Sequence, residues 1–238
     1  MKRLIPLYLA ALLSLAATTH AQGVYAKALQ AAKKAAGTAS SGLGQVELME
    51  GVTQFFTTGL DAAGRDFAPK TKLPGDLTKF QKALEKAGQK DALKQLNDSV
   101  TQIADASVPR AVAILKGMLN EIKGEDIVTL LAGKNTSLTD AFREATTERL
   151  NAQLKPFAEQ IVPAAKLDKR LSQIVSALGD AGKDIDQKEI VEKLVELAQK
   201  QTVNGIYGAL SSSEVKVRAD PDATKNKAII KAFTSIKK

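Results

Sequence analysis

The chain contains no cysteine and no tryptophan, and its one histidine is His20. The absence of thiols excludes disulfide bonds, CxxC redox pairs and thiolate metal sites. His20 lies in a segment that we expect to be removed, so the mature chain would also lack histidine-dependent catalytic triads and HExxH zinc sites. Neither a GxxxxGK[ST] phosphate loop nor a GxGxxG turn is present. The remaining side-chain chemistry uses hydroxyl, amine, carboxylate and amide groups.

The first 21 residues have the pattern of a secretory signal peptide. Lys2 and Arg3 precede an apolar run over residues 4–17, and Thr19 and Ala21 place small residues before the expected cleavage site. The apolar run is too short to cross a bilayer, which takes about 20 residues. No cysteine follows it to carry a lipid anchor. We therefore expect cleavage near Ala21 and a mature chain without a transmembrane segment, periplasmic in a Gram-negative host or secreted in another.

The charge balance of the chain is basic. The formal net charge is +8, and removal of residues 1–21 leaves 217 residues with a net charge of +6. Aromatic residues, which stack on bases, make up only 4% of the chain, so we expect no nucleic acid partner. The partner classes that fit an exported basic chain are an envelope protein, an anionic membrane surface or an amphiphile, although positive charge can also serve solubility alone.

Apolar residues recur at helical spacing through almost the whole chain, and strand-like alternation is nearly absent. The spacing predicts one helix on each side of Gly88, a short apolar turn that ends at Gly133, and a long helix that includes Ile190 and Leu210. No period of about 20 to 50 residues repeats, which argues against a solenoid. The pattern predicts an all-α fold, a single bundle-like domain with short loops over residues 45–238.

Prolines and capping residues predict where helices begin and break. Pro109 suits the first turn of a helix, whereas Pro156 should kink or split a long one because it lacks an amide proton. Residues 137–140, Ser-Leu-Thr-Asp, have the spacing of a capping box, with Asp in place of the usual Glu or Gln. Asp220, followed by Pro221, predicts the cap of a terminal helix.

Residues 22–44 differ in composition from the rest of the mature chain. An Ala/Lys-rich stretch over residues 24–36 predicts a leader helix, and a Gly/Ser-rich linker follows it. This helix is weakly amphipathic and basic, which is one way to touch a membrane. Its apolar side has neither Trp nor Phe, which favours a solvated leader helix.

Two weak motifs could carry chemistry. Ser213 and Lys216 have the SxxK spacing of penicillin-binding enzymes, but no SDN or KTG motif accompanies them. Four acids could offer oxygen ligands to calcium, although their register does not match an EF-hand. These acids are Asp180, Asp184, Asp186 and Glu189. We expect no metal and no cofactor, and keep as an alternative an envelope hydrolase that uses the serine and lysine or carboxylates.

Several short motifs recur in a defined order. They are residues 122–127 (IKGEDI) with 131–133 (LAG), residues 141–146 (AFREAT) with 154–157 (LKPF), and residues 203–207 (VNGIY) with 217–221 (VRADP). Their order and spacing resemble a bacterial exported family that is catalogued as domain of unknown function 4197. The resemblance covers about residues 48–233. It implies an exported, all-helical domain with no established activity.

Five polar residues of these blocks are candidates for a family ligand site or for structural roles: Asp126, Arg143, Asn204, Arg218 and Asp220. Asn204 stands where members of that family often have an acid. The structural interpretation is that Asp126 caps a short helix and that Arg143 pairs with a nearby carboxylate. In the same interpretation, Arg218 with Asp220 fixes the start of the last helix.

Export, positive charge, helical density and the lack of common catalytic groups together favour one function class. We expect a non-catalytic binding or interaction protein of the cell envelope. A carrier of an amphiphile or lipid is a further alternative beside the hydrolase.

Overall fold

The computed structural model of the protein describes residues 43–122 and 126–236. Across these ranges the chain forms α-helices, short 3-10 turns and no β-strand, so the all-helical prediction is confirmed. No helix within them has an apolar stretch of the length that crosses a membrane. The predicted signal peptide lies outside the described residues, as do all but the last two residues of the predicted leader and linker.

The helices are named here in chain order. They are α1 (Gln45–Asp66), α2 (Gly75–Thr78), α3 (Gln81–Lys86), α4 (Ala92–Gly117), α5 (Ile127–Ala132), α6 (Ser137–Ile161), α7 (Leu167–Leu178), α8 (Gln187–Ala219) and α9 (Lys227–Thr234). The 3-10 turns cover Leu119–Glu121, Gly179–Gly182 and Pro221–Thr224. The predicted short apolar turn is α5, and the predicted long helix is part of α8.

The chain divides into two compact units. In the described part of the chain, the first unit holds residues 43–60, 116–122, 126–148 and 209–236, and the second holds residues 61–115 and 149–208. Four helices, α1, α4, α6 and α8, supply residues to both units. The predicted single domain over residues 45–238 stays a prediction.

Phenylalanine rings form the centre of the first unit. The ring centroid of Phe56 lies 5.0 Å from that of Phe55 and 4.7 Å from that of Phe142. Phe233 brings α9 to within 5.5 Å of the Phe55 ring. Helix α9 approaches α1 this closely because Gly51 has no side chain: a Cβ there would lie 2.4 Å from the nearest side-chain atom of α9.

Aliphatic side chains fill the second unit. Its core includes Leu84, Leu96, Ile103, Leu171, Ile174 and Leu194. Two buried hydroxyls donate to distant backbone carbonyls: Ser99 on α4 to that of Ala165, in the turn before α7, at 2.7 Å, and Thr202 on α8 to that of Ala104 on α4 at 2.9 Å. Buried hydroxyls need such partners, so the second contact fixes the register of α8 against α4 within this unit.

Both prolines lie inside helices. The prediction that Pro109 opens a helix is wrong, because it lies inside α4. Helix α6 is not split at Pro156, and a kink there stays a prediction. Both prolines are exposed, so solvent can bond the carbonyl groups that lose an amide partner. The cost of an interior proline is roughly 3 kcal/mol. Packing of buried neighbours, such as Val108 and Ala111 beside Pro109, offsets it.

Candidate functional site

A buried ion pair joins Glu214 and Arg218, one turn apart on α8 in the first unit. The Glu214 side chain has no exposed surface, and that of Arg218 is 12% exposed. Arg218 donates through Nε and Nη2 to Oε1 of Glu214, at 2.9 and 2.7 Å. Because charged groups are seldom buried without a partner, the pair is a defined feature of this unit.

Glu214 caps the start of α6. The backbone N–H groups of Leu138 and Thr139 donate to its two carboxylate oxygens at 3.1 and 2.8 Å. A helix N-terminus has amides without partners and a positive partial charge, so a carboxylate there is stabilising. The predicted helix start is confirmed, but the predicted local capping box is wrong, because Ser137 Oγ donates instead to the carbonyl oxygen of Lys134.

Arg218 caps the end of α5. Its Nη2 donates to the carbonyl oxygen of Leu130 at 3.0 Å, and its Nη1 donates to that of Leu131. These carbonyls lie in the last turn of the helix, where that of Leu130 also accepts from the backbone N–H of Gly133 at 3.3 Å, and a cation is favoured beside them. Arg218 therefore does not act at the start of the last helix, where it was predicted, and Asp220 accepts a hydrogen bond from the backbone N–H of Ala223.

The other polar residues of the family motifs, Asp126, Arg143, Asn204 and Asp220, do not join the Glu214–Arg218 pair in the contacts described above. Asp126 is buried at the N-cap of α5, but its side chain makes no capping hydrogen bond, so that predicted role is wrong. Arg143 on α6 and Asn204 on α8 are both exposed. The terminal helix α9 is capped by Asn226, not by Asp220, which caps the preceding 3-10 turn.

Burial raises the pKa of Glu214 above its ordinary range, because the carboxylate has lost its hydration. Arg218, and after it the nearby side chain and the backbone N–H of Thr139, lower this pKa and offset only part of the rise. Oγ1 of Thr139 is buried and forms no hydrogen bond within the described ranges. The cluster thus keeps one polar atom unsatisfied beside a carboxylate that is costly to ionise.

The raised pKa predicts a pH dependence of stability. The folded protein binds the Glu214 proton more tightly than the unfolded chain does, so this group's contribution to the free energy of unfolding falls as pH rises through the raised pKa. Urea unfolding of the wild type and of Glu214→Gln between pH 4.5 and 7 measures it. We expect the advantage of the wild type to shrink with rising pH. An advantage that grows with pH would mean that the pKa is lowered.

The serine and lysine of the SxxK motif lie on one face of α8. Ser213 is half-buried and Lys216 is exposed, and neither side chain forms a hydrogen bond in the part of the chain that the structure describes. The residue that the fold uses is Glu214, which stands inside the motif. Catalysis by Ser213 and Lys216 stays a prediction.

The four acids of the proposed calcium cluster have other local partners. Asp180 pairs with a lysine three residues later, with 2.6 Å between the charged atoms. Asp186 accepts a hydrogen bond from the backbone N–H of Glu189 at 3.1 Å, and Glu189 pairs with Lys193. Asp184 is exposed. Within residues 43–122 and 126–236, no three acidic, histidine or cysteine side chains are grouped to hold a metal ion.

The second unit contains a cavity of about 450 Å³ between the end of α6, the start of α7 and the first turns of α8, which we name the apolar groove. Its apolar lining comes from Val162, Pro163, Val191 and Val195. Charged side chains surround this lining: Lys155, Glu159, Asp168, Lys188 and Glu192. The volume lies within the range of small-molecule sites, roughly 300 to 1,000 Å³.

Sequence reasoning missed both Glu214 and the apolar groove. Glu214 falls on the buried stripe of α8 that contains Tyr207, Leu210 and Val217, with an arginine four residues later. An acidic residue within an apolar stripe indicates a buried charge that needs a partner, so the sequence contained the information that predicts this pair. The groove had no such signal, because its residues come from three segments whose packing the periodicity does not determine.

These features define a class: an all-helical protein with a structural ion pair in one unit and a ligand-sized groove in the other. The chain matches the model of the family described as "Protein of unknown function (DUF4197)" over residues 33–234, and it belongs to this family. The resemblance drawn from the sequence motifs is thereby confirmed. Comparison with curated proteins and with solved structures gave no match.

Proposed function

We propose that this protein is a non-catalytic, exported binding protein of the cell envelope, and that its apolar groove takes the hydrocarbon part of a single-chain amphiphile. The observation that carries the proposal is the apolar lining. Val162 and Val195 are buried beneath the groove, and the half-buried Val191 is open to an occupant. Covering such apolar surface contributes about 25 cal/mol per Å² removed from water.

The charges around the groove indicate the kind of headgroup. Two are cations, Lys155 and Lys188, and three are acids, at positions 159, 168 and 192. None of these five side chains forms an ion pair among the described residues. Unpaired charges of both signs around an apolar lining suit a zwitterionic headgroup, whose phosphate faces the lysines and whose amine faces the carboxylates.

The sequence supports the location. The signal-peptide pattern predicts export, and no helix of the described ranges could anchor the chain by spanning a bilayer. An exported binding protein would meet amphiphiles at the membrane surface. A groove that shields their hydrocarbon chain from water would allow the protein to carry them through the aqueous phase.

Blocking the groove tests the proposal. The probe is dodecylphosphocholine below its critical micelle concentration, titrated calorimetrically into the mature chain, residues 22–238. Val191→Trp fills the groove, and we expect it to weaken binding at least about tenfold, which corresponds to 1.4 kcal/mol. The matched control is Val215→Trp, because Val215 lies on the same helix, is 41% exposed and does not line the groove. We expect this control to bind like the wild type.

Two results would contradict the proposal. One is equal binding by Val191→Trp and Val215→Trp, which would place the amphiphile elsewhere. The other is the absence of binding by the wild type while its circular dichroism shows folded protein. Replacing the zwitterion with dodecyl phosphate checks the headgroup, and we expect weaker binding because the acids around the groove then lack a partner.

A further inference from the structure

The first two turns of α8 lie between two cavities of the second unit. On one side, four residues of these turns line the apolar groove: Gln187, Lys188, Val191 and Glu192. On the other side, three residues line a cavity of about 200 Å³, which we name the second groove: Glu189, Ile190 and Lys193. At about 3.6 residues per turn, the two sets fall on opposite faces of the helix. Residues 187–193 are therefore a wall that separates the two grooves, and we name them the α8 wall.

The α8 wall is less firmly packed than the rest of its helix. No residue from 183 to 193 is buried, and the first buried residue of α8 is Leu194. Three half-buried side chains, Ile185, Ile190 and Val191, pack against the core of this unit. Segments with few buried apolar contacts open at the lowest cost in free energy. The start of α8 is therefore the part of this helix that can move most easily.

One side-chain hydrogen bond joins residues 183–193 to another α-helix of the described chain. Ser172 Oγ on α7 donates to Oε1 of Gln187 at 2.8 Å. Both side chains are exposed, so water competes for this bond. The ion pairs and the capping bond of the same stretch are local, within it or with the preceding 3-10 turn. A shift of the α8 wall away from α7 thus breaks one exposed hydrogen bond.

The second groove gives the α8 wall an apolar surface to move against. Leu77, which is buried, and the half-buried Phe80 line this groove from the segment that follows α1, and Ile190 lines it from α8. The side chains around a cavity lack packing partners on one side. A shift of α8 into the second groove would bury Ile190 against Leu77 and Phe80, which is favourable. The same shift widens the apolar groove.

We propose that the α8 wall is movable, and that its shift into the second groove widens the apolar groove for a zwitterionic amphiphile with two hydrocarbon chains. A ligand that needs the wide form draws the population toward it and binds more weakly by the cost of the shift. The widening as an aid to binding rests on the proposed function. The movement itself does not, so the two are tested separately.

Filling the second groove tests the movement without any ligand. Lys79→Trp places a large side chain there, because Lys79 is exposed and lines this groove. The matched control is Lys82→Trp, since Lys82 is exposed nearby and does not line it. In the mature chain, we expect Lys79→Trp to slow hydrogen exchange of the amides of residues 191–195 several-fold. We expect Lys82→Trp to leave their exchange unchanged. Simple fraying of a helix end does not need the second groove, so equal exchange in both variants would overturn the proposal.

A reversible lock tests the widening. The chain has no cysteine, so Ser172→Cys with Gln187→Cys provides two unique thiols where the side chains now meet. A short bis-methanethiosulfonate reagent links them, and a reducing agent releases them. The two probes are dodecylphosphocholine and the two-chain dihexanoylphosphatidylcholine, each titrated calorimetrically below its critical micelle concentration. We expect the lock to weaken binding of the two-chain probe at least about tenfold and that of the single-chain probe by less than about twofold. Reduction should restore both affinities.

A lock that weakens both probes equally, or neither, would overturn the widening. A wild type that binds only the single-chain probe would overturn it as well and would leave the proposed function intact. A wild type that binds neither probe contradicts the proposed function and the widening together, whereas the exchange of the Lys79→Trp and Lys82→Trp variants still decides whether the α8 wall moves.

Discussion

Replacing Arg218 with methionine is expected to lower the free energy of unfolding by about 3 to 5 kcal/mol at pH 7, the cost of leaving a buried charge without its partner. Glu214 would keep its two backbone donors and lose the guanidinium, and the carbonyl groups of Leu130 and Leu131 would lose the hydrogen bonds that Arg218 donates. Urea denaturation followed by circular dichroism measures the change.

The control for this experiment is Lys216→Met. It removes the same charge two residues away on α8, from an exposed side chain that has no ion pair among the described residues. Substitutions at such surface positions usually change the free energy of unfolding by no more than about 0.5 kcal/mol.

The pH dependence of the Arg218→Met variant adds a second check. Without Arg218, the pKa of Glu214 should rise further, so acidification from pH 7 should recover part of the lost stability. Equal destabilisation by both variants would contradict the buried-pair account.

Gly51→Ala is the second substitution with a large expected effect. The new Cβ would lie 2.4 Å from the Cβ of Ala232 and 2.5 Å from the backbone oxygen of Ala228, so α9 has to move away from α1. Overpacking of this kind costs typically about 1 to 3 kcal/mol. Because the obstacle includes backbone, rotation of a side chain cannot relieve it. We expect a lower denaturation midpoint in urea.

Gly208→Ala is the matched control for Gly51→Ala. Gly208 lies inside α8, and a Cβ there would meet no atom within 4 Å. Alanine in a helix interior is favoured over glycine by roughly 0.5 to 1 kcal/mol, so this variant should be slightly more stable than the wild type. Destabilisation by both substitutions would show that the close approach of α1 and α9 is not what constrains Gly51.

Periodicity predicted the helices, because the stripes of buried side chains are local features of the sequence. The predicted helix start at Pro109 is wrong, and α6 is not split at Pro156, for a physical reason: both prolines face solvent, and packing of their buried neighbours overrides the lost hydrogen bond. The residues that cap the helices were harder to predict than the helices themselves. The cap of α6 comes from Glu214, which is 75 residues away from Thr139, and no local motif reports such a partner.

The candidate site was less predictable than the fold. The family motif indicated Arg218, but the prediction placed its role, together with Asp220, at the start of the last helix and not in a buried pair with Glu214. The prediction gave the cap of α9 to Asp220, because Asp followed by Pro is typical of a helix start. It therefore missed Asn226, which caps α9. The two grooves depend on how separate helices pack, and a chain with helical periodicity throughout gives no information on that.

The first unit draws its described residues from four ranges of the chain, the last of them beginning at residue 209. The caps at the corner between α5 and α6 belong to this last stretch, through Glu214 and Arg218. The first unit therefore cannot be completed before residues 209–236 are available, and contacts of such long sequence separation form slowly because loop closure costs entropy. Premature termination before Glu214 would leave α6 uncapped and an apolar interior open.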